Sequence, residues 1–237
     1  MKLGNFLLAF LLILVQDPIV PQGNTSRGHA GGGITVTNIT SGGTCSTGAG
    51  GSCAIAATGT TSGNFAVIFL ENVTYGAGGT ITDTQSNTWA ANIGSAGGTL
   101  ACGFSNQPCY VFGAKLTGSG ADTITITSLN AFATGQYAYF EISGLATGAV
   151  DQNTGMGSAA SNWTSPTTGT TTAANEAVVC YGLNANAFPT ITTGGYTGIA
   201  GSHYHVEAYQ IVSSTGTFSC GGTSSSGSSN GAIITYK

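Results

Sequence analysis

The chain has 237 residues, of which 41% are hydrophobic and only 5% are charged, with a formal net charge of −4. Globular domains usually carry about 25% charged residues, and disordered chains combine high charge with few apolar residues, so this composition excludes disorder. Only four residues are basic, and they are scattered: Lys2, Arg27, Lys115 and Lys237. Nucleic acids and anionic membrane surfaces both require clustered basic residues, so neither is expected as a partner.

A surface with so few charges needs another source of protection against aggregation. Mixed surface charge normally keeps neighbouring molecules apart in solution. Attached glycans or neighbouring subunits would replace it. We therefore expect the partners of this protein to be further copies of itself and glycans.

Residues 1–16 predict an export leader. Residues 6–15 form an unbroken apolar run after Lys2, with the length of a signal-peptide core and too short to cross a bilayer. Leu14 and Gln16 are not the small residues that a signal peptidase prefers, so the mature N-terminus is undefined. An uncleaved anchor or a buried strand is the alternative. We predict a secreted protein of a cell-surface appendage, without membrane contact after secretion.

Residues 17–33 predict a flexible N-terminal extension before a β-domain at 34–237. Ile19 and Val20 lie between two prolines and form a short apolar patch. An extended apolar segment of this kind can complete the sheet of a neighbour and cover its edge. Ile34 and Val36, in the alternating segment 34–39, are the alternative donor residues. A disordered linker is the other alternative.

Nine further segments alternate in polarity or are continuously apolar, and Gly, Ser, Thr and Asn separate them: 34–38, 65–70, 88–91, 109–112, 122–127, 137–142, 176–181, 204–212 and 232–236. No segment has a sustained helical period. The pattern predicts an all-β fold, a single antiparallel β-sandwich of the Ig-like or jelly-roll type. The run Phe65–Leu70 predicts a strand buried on both faces, and 157–172 and 221–231 predict a long loop and a turn.

Six cysteines favour disulfides in an oxidising compartment. Their spacing favours three local pairs, although six cysteines allow 15 connectivities: Cys45 with Cys53, Cys102 with Cys109, and Cys180 with Cys220. The closely spaced pairs of a zinc site are missing. Four Asn-x-Ser/Thr sequons are candidate glycosylation sites: Asn24, Asn38, Asn72 and Asn162.

Four segments carry a resemblance to known proteins: DTQSNTW (83–89), EISGL (141–145), AYQIVSSTGTF (208–218) and AIITYK (232–237). They resemble a broad group of bacterial, phage and environmental β-sandwich proteins, mostly of unknown function, over roughly residues 60–237. The resemblance implies an Ig-like or jelly-roll sandwich on an extracellular appendage. The 83–87 segment predicts a turn that presents Trp89 to the core.

The N-terminal layout resembles that of pilus subunits that polymerise by donor-strand exchange. The resemblance implies a homopolymer in which each subunit is completed by a segment of its neighbour. The sequence contains no lipobox cysteine and no prepilin-type cleavage motif, so it leaves the assembly route open.

His203, His205 and Glu207 are the sharpest local group of polar side chains, because alternate residues of a strand share one face. Same-face neighbours lie about 6.6 Å apart along a strand, so three in line do not converge on one metal ion without a bulge. They are weak metal candidates, and no metal or cofactor is predicted. Glu71, Glu141 and Glu176 are expected on strand ends or faces, solvated or hydrogen-bonded. Lys115 or Lys237 could form an isopeptide crosslink, which no motif predicts.

The sequence predicts a structural protein and not an enzyme. No serine-nucleophile motif is present, and eight acids in an all-β chain are too weak a signal for a glycosidase pair. The predicted function is that of a glycosylated subunit of an extracellular filament. The alternative is a secreted carbohydrate-binding module or phage-like adhesin, with Trp163, Tyr196 and Tyr204 stacking on sugars.

Overall fold

The computed structural model describes residues 33–45, 50–75, 79–93, 102–104, 107–155, 157–159, 161–184, 187–201, 204–225 and 227–237. These residues form seventeen strands and no helix: β1 Thr35–Cys45, β2 Gly51–Thr60, β3 Phe65–Tyr75, β4 Ile81–Asp83, β5 Ala90–Ile93, β6 Cys102–Phe104, β7 Gln107–Lys115, β8 Gly120–Ser143, β9 Val150–Asn153, β10 Gly157–Ala159, β11 Asn162–Thr164, β12 Asn175–Asn184, β13 Thr190–Ile191, β14 Thr197–Gly201, β15 His205–Ser213, β16 Gly221–Thr223 and β17 Ser229–Tyr236.

The predicted all-β antiparallel fold is confirmed, but a single two-sheet sandwich is an incomplete description. The strands form an eight-stranded sheet in the order β1-β8-β3-β7-β5, with β2, β4 and β6 attached to it. A six-stranded sheet follows the order β10-β17-β12-β15-β14, with β9 attached to β17, and β11-β16-β13 form a third, small sheet. All these pairings are antiparallel.

Strand β8 gives the fold its additional layer. Its first half pairs with β2 and β4, and its second half pairs with β1 and β3. Between the halves Ser128 adopts the left-handed conformation, with φ of 55°, which few non-glycine residues adopt. Ile124 and Ile126 of the first half pack in one apolar cluster with Tyr139 of the second. The segments 122–127 and 137–142, which we predicted as two strands, are therefore one bent strand.

Three apolar cores lie between four layers. The main core packs the second half of β8, with β1, β3 and β7, against the six-stranded sheet. A second core lies on the opposite face of β3 and β7, under β2 and the first half of β8. A third core packs the small sheet against the outer face of β12 and β17.

This stacking explains the continuously apolar strands, because a strand in an inner layer is covered on both faces. Phe65–Leu70 of β3 is buried throughout, as predicted. All eight residues of β17 and nine of the ten residues of β12 are buried as well. Outer strands alternate instead, and β2 buries Cys53, Ile55 and Ala57 while exposing the residues between them.

Several predicted boundaries are wrong. The prediction of nine strands misses β2, because the small residues of its alternating segment give a weak signal. The predicted loop 157–172 contains β10 and β11, and the predicted turn 221–231 contains β16 and the first residues of β17. These short strands are rich in Gly, Ser, Asn and Thr, which are typical of turns, and only pairing with distant strands fixes them.

Two predicted disulfides are confirmed, Cys45–Cys53 and Cys180–Cys220. The first ties β1 to β2, and the second ties β12 to the residue before β16, across the third core. Cys109 is also disulfide-bonded, and its Cα partner on the neighbouring strand is Cys102. Disulfides indicate an oxidising environment. Within the described ranges, no helix is long and apolar enough to span a lipid bilayer.

Candidate functional site

The ionisable side chains of the described residues lie almost entirely inside the protein. Five carboxylates are buried: Glu71, Asp122, Glu141, Glu176 and Glu207. Asp83 and Lys237 are half-buried and the Asp151 side chain is shielded from solvent, which leaves Lys115 as the one exposed charged side chain in the described part of the chain. The described surface consists mainly of Gly, Ser, Thr and Ala.

Glu141 is a structural hydrogen-bond acceptor. It is fully buried on β8 and accepts hydrogen bonds from the Asn64 side chain at 2.7 Å, the Tyr139 hydroxyl at 2.8 Å and the Thr61 amide at 3.3 Å. Burial, and then the charge of Glu141, raise the pKa of Tyr139 far above its usual range. The carboxylate thus joins β8 to the turn between β2 and β3, and of its two predicted roles, solvated or hydrogen-bonded, the hydrogen-bonded one is confirmed.

Asp83 organises the predicted turn before Trp89. Its Oδ1 accepts hydrogen bonds from the amides of Gln85 and Asn87, both at 2.9 Å, and its Oδ2 accepts one from Trp89 Nε1 at 2.7 Å. Trp89 packs, partly buried, against the second core. This carboxylate therefore caps the amides of the turn and also satisfies the indole N–H.

Glu71, His205 and Glu207 form a buried cluster between the two large sheets. His205 Nδ1 is 2.7 Å from Glu207 Oε1, and both side chains are fully buried. The Phe69 ring lies against the His205 ring with their centroids 5.2 Å apart. Neither oxygen of Glu71 has a hydrogen-bond partner among the described residues, nor do His205 Nε2 and Glu207 Oε2. The predicted solvated or hydrogen-bonded role of Glu71 is therefore wrong.

The cluster shifts the ionisation of its members. Burial raises the pKa of Glu71 to about 7, with His205 lowering it and Glu207 raising it to a smaller extent. Burial lowers the pKa of His205, but the charge and hydrogen bond of Glu207 outweigh burial and raise it overall. Glu71 therefore changes charge near neutral pH, and the pKa of His205 lies above its ordinary value.

The predicted metal candidates are only partly brought together. His205 and Glu207 share a face of β15, as expected, but they bind each other, and His203 lies outside the described residues. In the described part of the chain, no group of three His, Cys, Asp or Glu side chains is arranged to hold a metal ion.

Asp151, Lys237 and Glu176 form a second charged cluster, at the outer edge of the six-stranded sheet. Lys237 Nζ is 2.5 Å from Asp151 Oδ1. The Thr172 amide donates to Asp151 Oδ2 at 2.6 Å, and the Thr172 hydroxyl donates to Oδ1. Burial pushes the pKa of Asp151 upward, but the hydrogen bonds from Lys237 and Thr172 outweigh burial and hold it well below its usual range.

Strand β1 is an edge strand in two parts. Its first part pairs Thr35, Val36 and Thr37 with the end of β8, and Ile34 and Val36 lie in the main core. The register then shifts between Thr37 and Thr40, so a β-bulge separates this part from the rest of the strand. The second part ends at Cys45 in its disulfide with Cys53.

Among the described residues, two large apolar side chains are exposed, and each lies on or beside an edge strand. Ile39, in the bulge of β1, is 43% exposed, and Phe188 is 54% exposed. Phe188 lies close to Gly201 of the edge strand β14, and β1 and β14 are in contact. The edge strands β1 and β14 are therefore adjacent, with an exposed apolar side chain on β1 and another beside β14. Ile19 and Val20, the other predicted donor residues, lie outside the described residues.

The predicted glycosylation sites have different settings. Asn162 is exposed on β11, as an acceptor must be. Asn38 and Asn72 both fall at register shifts, in β1 and β3 respectively, and their side chains are outside the described set. Asn24 lies outside the described residues.

Trp163 is not an exposed sugar platform. It is 2% exposed, and Cβ atoms added at Gly182, Gly222 and Gly231 would come within 2.4–2.8 Å of its ring. Three glycines thus form the slot that holds this indole in the third core. Tyr196 packs partly buried against the same core, and burial raises its pKa to about 12. The prediction of Trp163 as a sugar-stacking residue is therefore wrong.

The sequence placed His205 and Glu207 on one face but did not indicate that Glu71 joins them or that Asp151 meets Lys237. Glu71 follows a wholly apolar run, which is a signal that its side chain continues into the core. Asp151 and Lys237 are 86 residues apart and come together only through the pairing of β9 with β17. No local pattern could have joined them.

Comparisons of the chain with protein-family models, with curated proteins and with solved structures give no match. The chain is therefore defined by its own architecture, an all-β protein of stacked antiparallel sheets stapled by disulfides.

Proposed function

We propose that this protein is a structural subunit of an extracellular filament, and that neighbouring subunits are joined by exchange of the first part of β1. The observation that carries the proposal is the position of Ile34 and Val36. Their side chains fill the main core, yet they belong to an edge segment that follows directly on the N-terminal extension.

The weak attachment of this segment favours exchange. Only three residue pairs join it to β8 before the bulge. Gly33, with φ of 77° and no atom within 4 Å of its Cβ direction, precedes the segment as a point where the chain direction can change. Residues 17–33 supply the length of chain needed to reach a neighbour.

The disulfide between Cys45 and Cys53 limits the exchange to one part of β1. Residues 40–45 remain tied to β2 of their own subunit, whereas residues 34–37 carry no covalent link. Backbone pairing with the neighbour's β8 would give affinity, and insertion of Ile34 and Val36 would fix the register. If each subunit donates to one neighbour and receives from another, the result is an open filament.

The composition of the surface supports the same proposal. A described surface with Lys115 as its one exposed charge offers little electrostatic repulsion between identical subunits. Ile39 and Phe188 add apolar contacts on the side where the exchanged strand lies. Disulfides fit an extracellular setting, where no reducing system opens them.

A pair of cysteines tests the exchange directly. Thr35 Oγ1 and Ser143 Oγ are 2.6 Å apart, so the variant T35C/S143C places two thiols opposite each other. In exchanged filaments these thiols belong to different subunits. A non-reducing denaturing gel is therefore expected to show a ladder of multimers, which collapses to monomer on reduction.

The matched control pairs cysteines in the anchored part of β1. Thr44 and Gln136 are also opposite each other, and Thr44 is next to the bonded Cys45, so T44C/Q136C is expected to run as a monomer. A monomer band for both variants would contradict exchange. A ladder for both would contradict the anchoring role of the Cys45–Cys53 disulfide.

A further inference from the structure

The contact between Lys237 and Asp151 goes beyond an ordinary surface ion pair. The Asp151 side chain is 2% exposed and the Lys237 side chain 30%. Lys237 Nζ lies 2.5 Å from Asp151 Oδ1 and 2.7 Å from the Thr172 hydroxyl. Surface ion pairs are usually solvated and loosely held, whereas this carboxylate is shielded and contacted from several directions.

The backbone fixes both partners. The register of β9 against β17 shifts between Gln152–Thr235 and Val150–Tyr236, which leaves Asp151 in a bulge without an opposite residue. Such bulges redirect a side chain out of the regular alternation. On the other strand, Lys237 donates its amide to Ala149 O at 3.0 Å, and its carbonyl accepts from Ala149 N at 3.2 Å and from the Thr147 hydroxyl at 2.7 Å.

Glu176 supplies a buried acid beside the pair. Its side chain is fully buried, its Oε1 accepts the Ala173 amide at 3.1 Å, and its Oε2 has no hydrogen-bond partner among the described residues. Burial raises the pKa of Glu176, Thr235 and the Ala173 amide lower it, and the neighbouring Asp151 carboxylate raises it further, so that it lies above its usual value.

We propose that Lys237 and Asp151 form an intramolecular isopeptide bond, with Glu176 as the proton carrier. The Lys237 amine, after losing a proton to the Glu176 carboxylate, attacks Cγ of Asp151. The new bond joins Nζ to Cγ, one Cγ–O bond breaks, and the departing oxygen leaves as water. An ammonium and a carboxylate thus become one amide and one water molecule, with no oxidant or reductant required.

The surroundings provide the groups that such a condensation needs. Two reactants held in contact have an effective concentration on the order of 10⁵–10⁸ M in well-oriented cases. The Thr172 amide, 2.6 Å from Asp151 Oδ2, is placed to stabilise the negative oxygen of the tetrahedral intermediate. Glu176 passes two protons in turn from the nitrogen to the leaving oxygen and so returns to its starting state.

Intact-mass spectrometry of the full secreted chain, after reduction of its disulfides, tests this inference. The wild-type protein is expected to be lighter than its sequence by one water molecule, and the variant K237R to have its full mass. Digestion of the wild type should yield one branched peptide containing both Asp151 and Lys237. The variant D151N should lose one ammonia instead of water, because an amide then supplies the leaving group.

The role of Glu176 is tested by E176Q, since glutamine keeps the shape of the side chain but cannot carry the proton. Fresh E176Q protein is expected to have full mass, with circular dichroism matching the wild type as a control for folding. A full-mass wild-type protein would overturn the crosslink. Loss of water that persists in K237R would overturn the choice of nucleophile, and a complete crosslink in E176Q would overturn the role of Glu176. The inference does not depend on filament assembly.

Discussion

The interior and the surface of this protein differ in how they use charge. The described interior contains five carboxylates and one imidazole, whereas the described surface exposes the charge of Lys115. Most soluble proteins place their charges on the surface, where solvation is inexpensive. Here most ionisable groups lie between the layers, and the described surface is nearly free of charge. Four changes test this contrast, from the largest expected effect on stability to the smallest.

Removing the Glu141 carboxylate should have the largest effect. The variant E141A leaves the side chains of Asn64 and Tyr139 without their acceptor in a buried site. We expect a loss of about 3–5 kcal/mol in the free energy of unfolding. Urea denaturation of E141A measures it. The control E141Q keeps one acceptor oxygen and should lose clearly less, and equal losses would show that the hydrogen bonds of Glu141 are not the cause.

The disulfide that closes the longer loop should matter more than the one that closes the shorter loop. Cys180–Cys220 closes a loop with a sequence separation of 40, and Cys45–Cys53 one of 8. The chain-entropy model assigns about 4 kcal/mol to the first and about 2.5 kcal/mol to the second. The double variants C180A/C220A and C45A/C53A, compared by urea denaturation, check the order. A larger loss in C45A/C53A would contradict it.

Glu71 should make the protein less stable as the pH rises. Its pKa is about 7 in the fold against an ordinary 4.5, so the folded state binds its proton more tightly than the unfolded state does. The stabilisation is complete below pH 4.5 and is lost as the pH rises to about 7, by roughly 3 kcal/mol. His205, whose pKa is also raised, acts in the same direction above pH 6.5.

Unfolding free energies measured from pH 4.5 to pH 8 test this slope, with E71Q as the comparison. Glutamine does not titrate, so the slope between pH 4.5 and 7 should largely disappear, and E71Q should be more stable than the wild type at pH 8. An unchanged slope in E71Q would show that Glu71 is not its source.

Adding charge to the surface should barely change stability but should stop assembly. Ile39 is 43% exposed on the edge strand β1, so I39K is expected to change the free energy of unfolding by less than about 0.5 kcal/mol. It places a repelling charge on the proposed contact between subunits. Light scattering should show assembly lost in I39K and kept in T123K, which adds the same charge to exposed Thr123 of β8. Equal assembly of the two variants would show that assembly does not depend on the β1 edge.

The sequence predicts individual strands and disulfides of this fold better than it predicts how the sheets are layered. The apolar run from Phe65 identifies an inner strand, and the cysteine spacings identify two disulfides, because both signals are local. The layers depend instead on the packing of the two halves of β8 against each other. Between these halves Ser128 adopts a left-handed conformation that its residue type does not predict. The slot for Trp163 likewise combines glycines from β12, β16 and β17, which no window of sequence contains.

The candidate sites also combine features visible in the local sequence with features that depend on long-range packing. The alternation of His205 and Glu207 on one face is visible in the sequence, and the structure adds that they are fully buried and bound to each other. Glu71 joins them only through the packing of one large sheet on the other. The Lys237–Asp151 contact depends on a bulge in β9, which cannot be located before the strands are paired.

The most direct test of the proposed function is negative-stain electron microscopy of the native secreted protein, before any exposure to denaturant. We expect regular filaments whose repeat corresponds to one subunit, because each β1 segment would complete the sheet of its neighbour. Dispersed single particles, at concentrations where the protein is abundant, would contradict the proposal that this chain is a filament subunit.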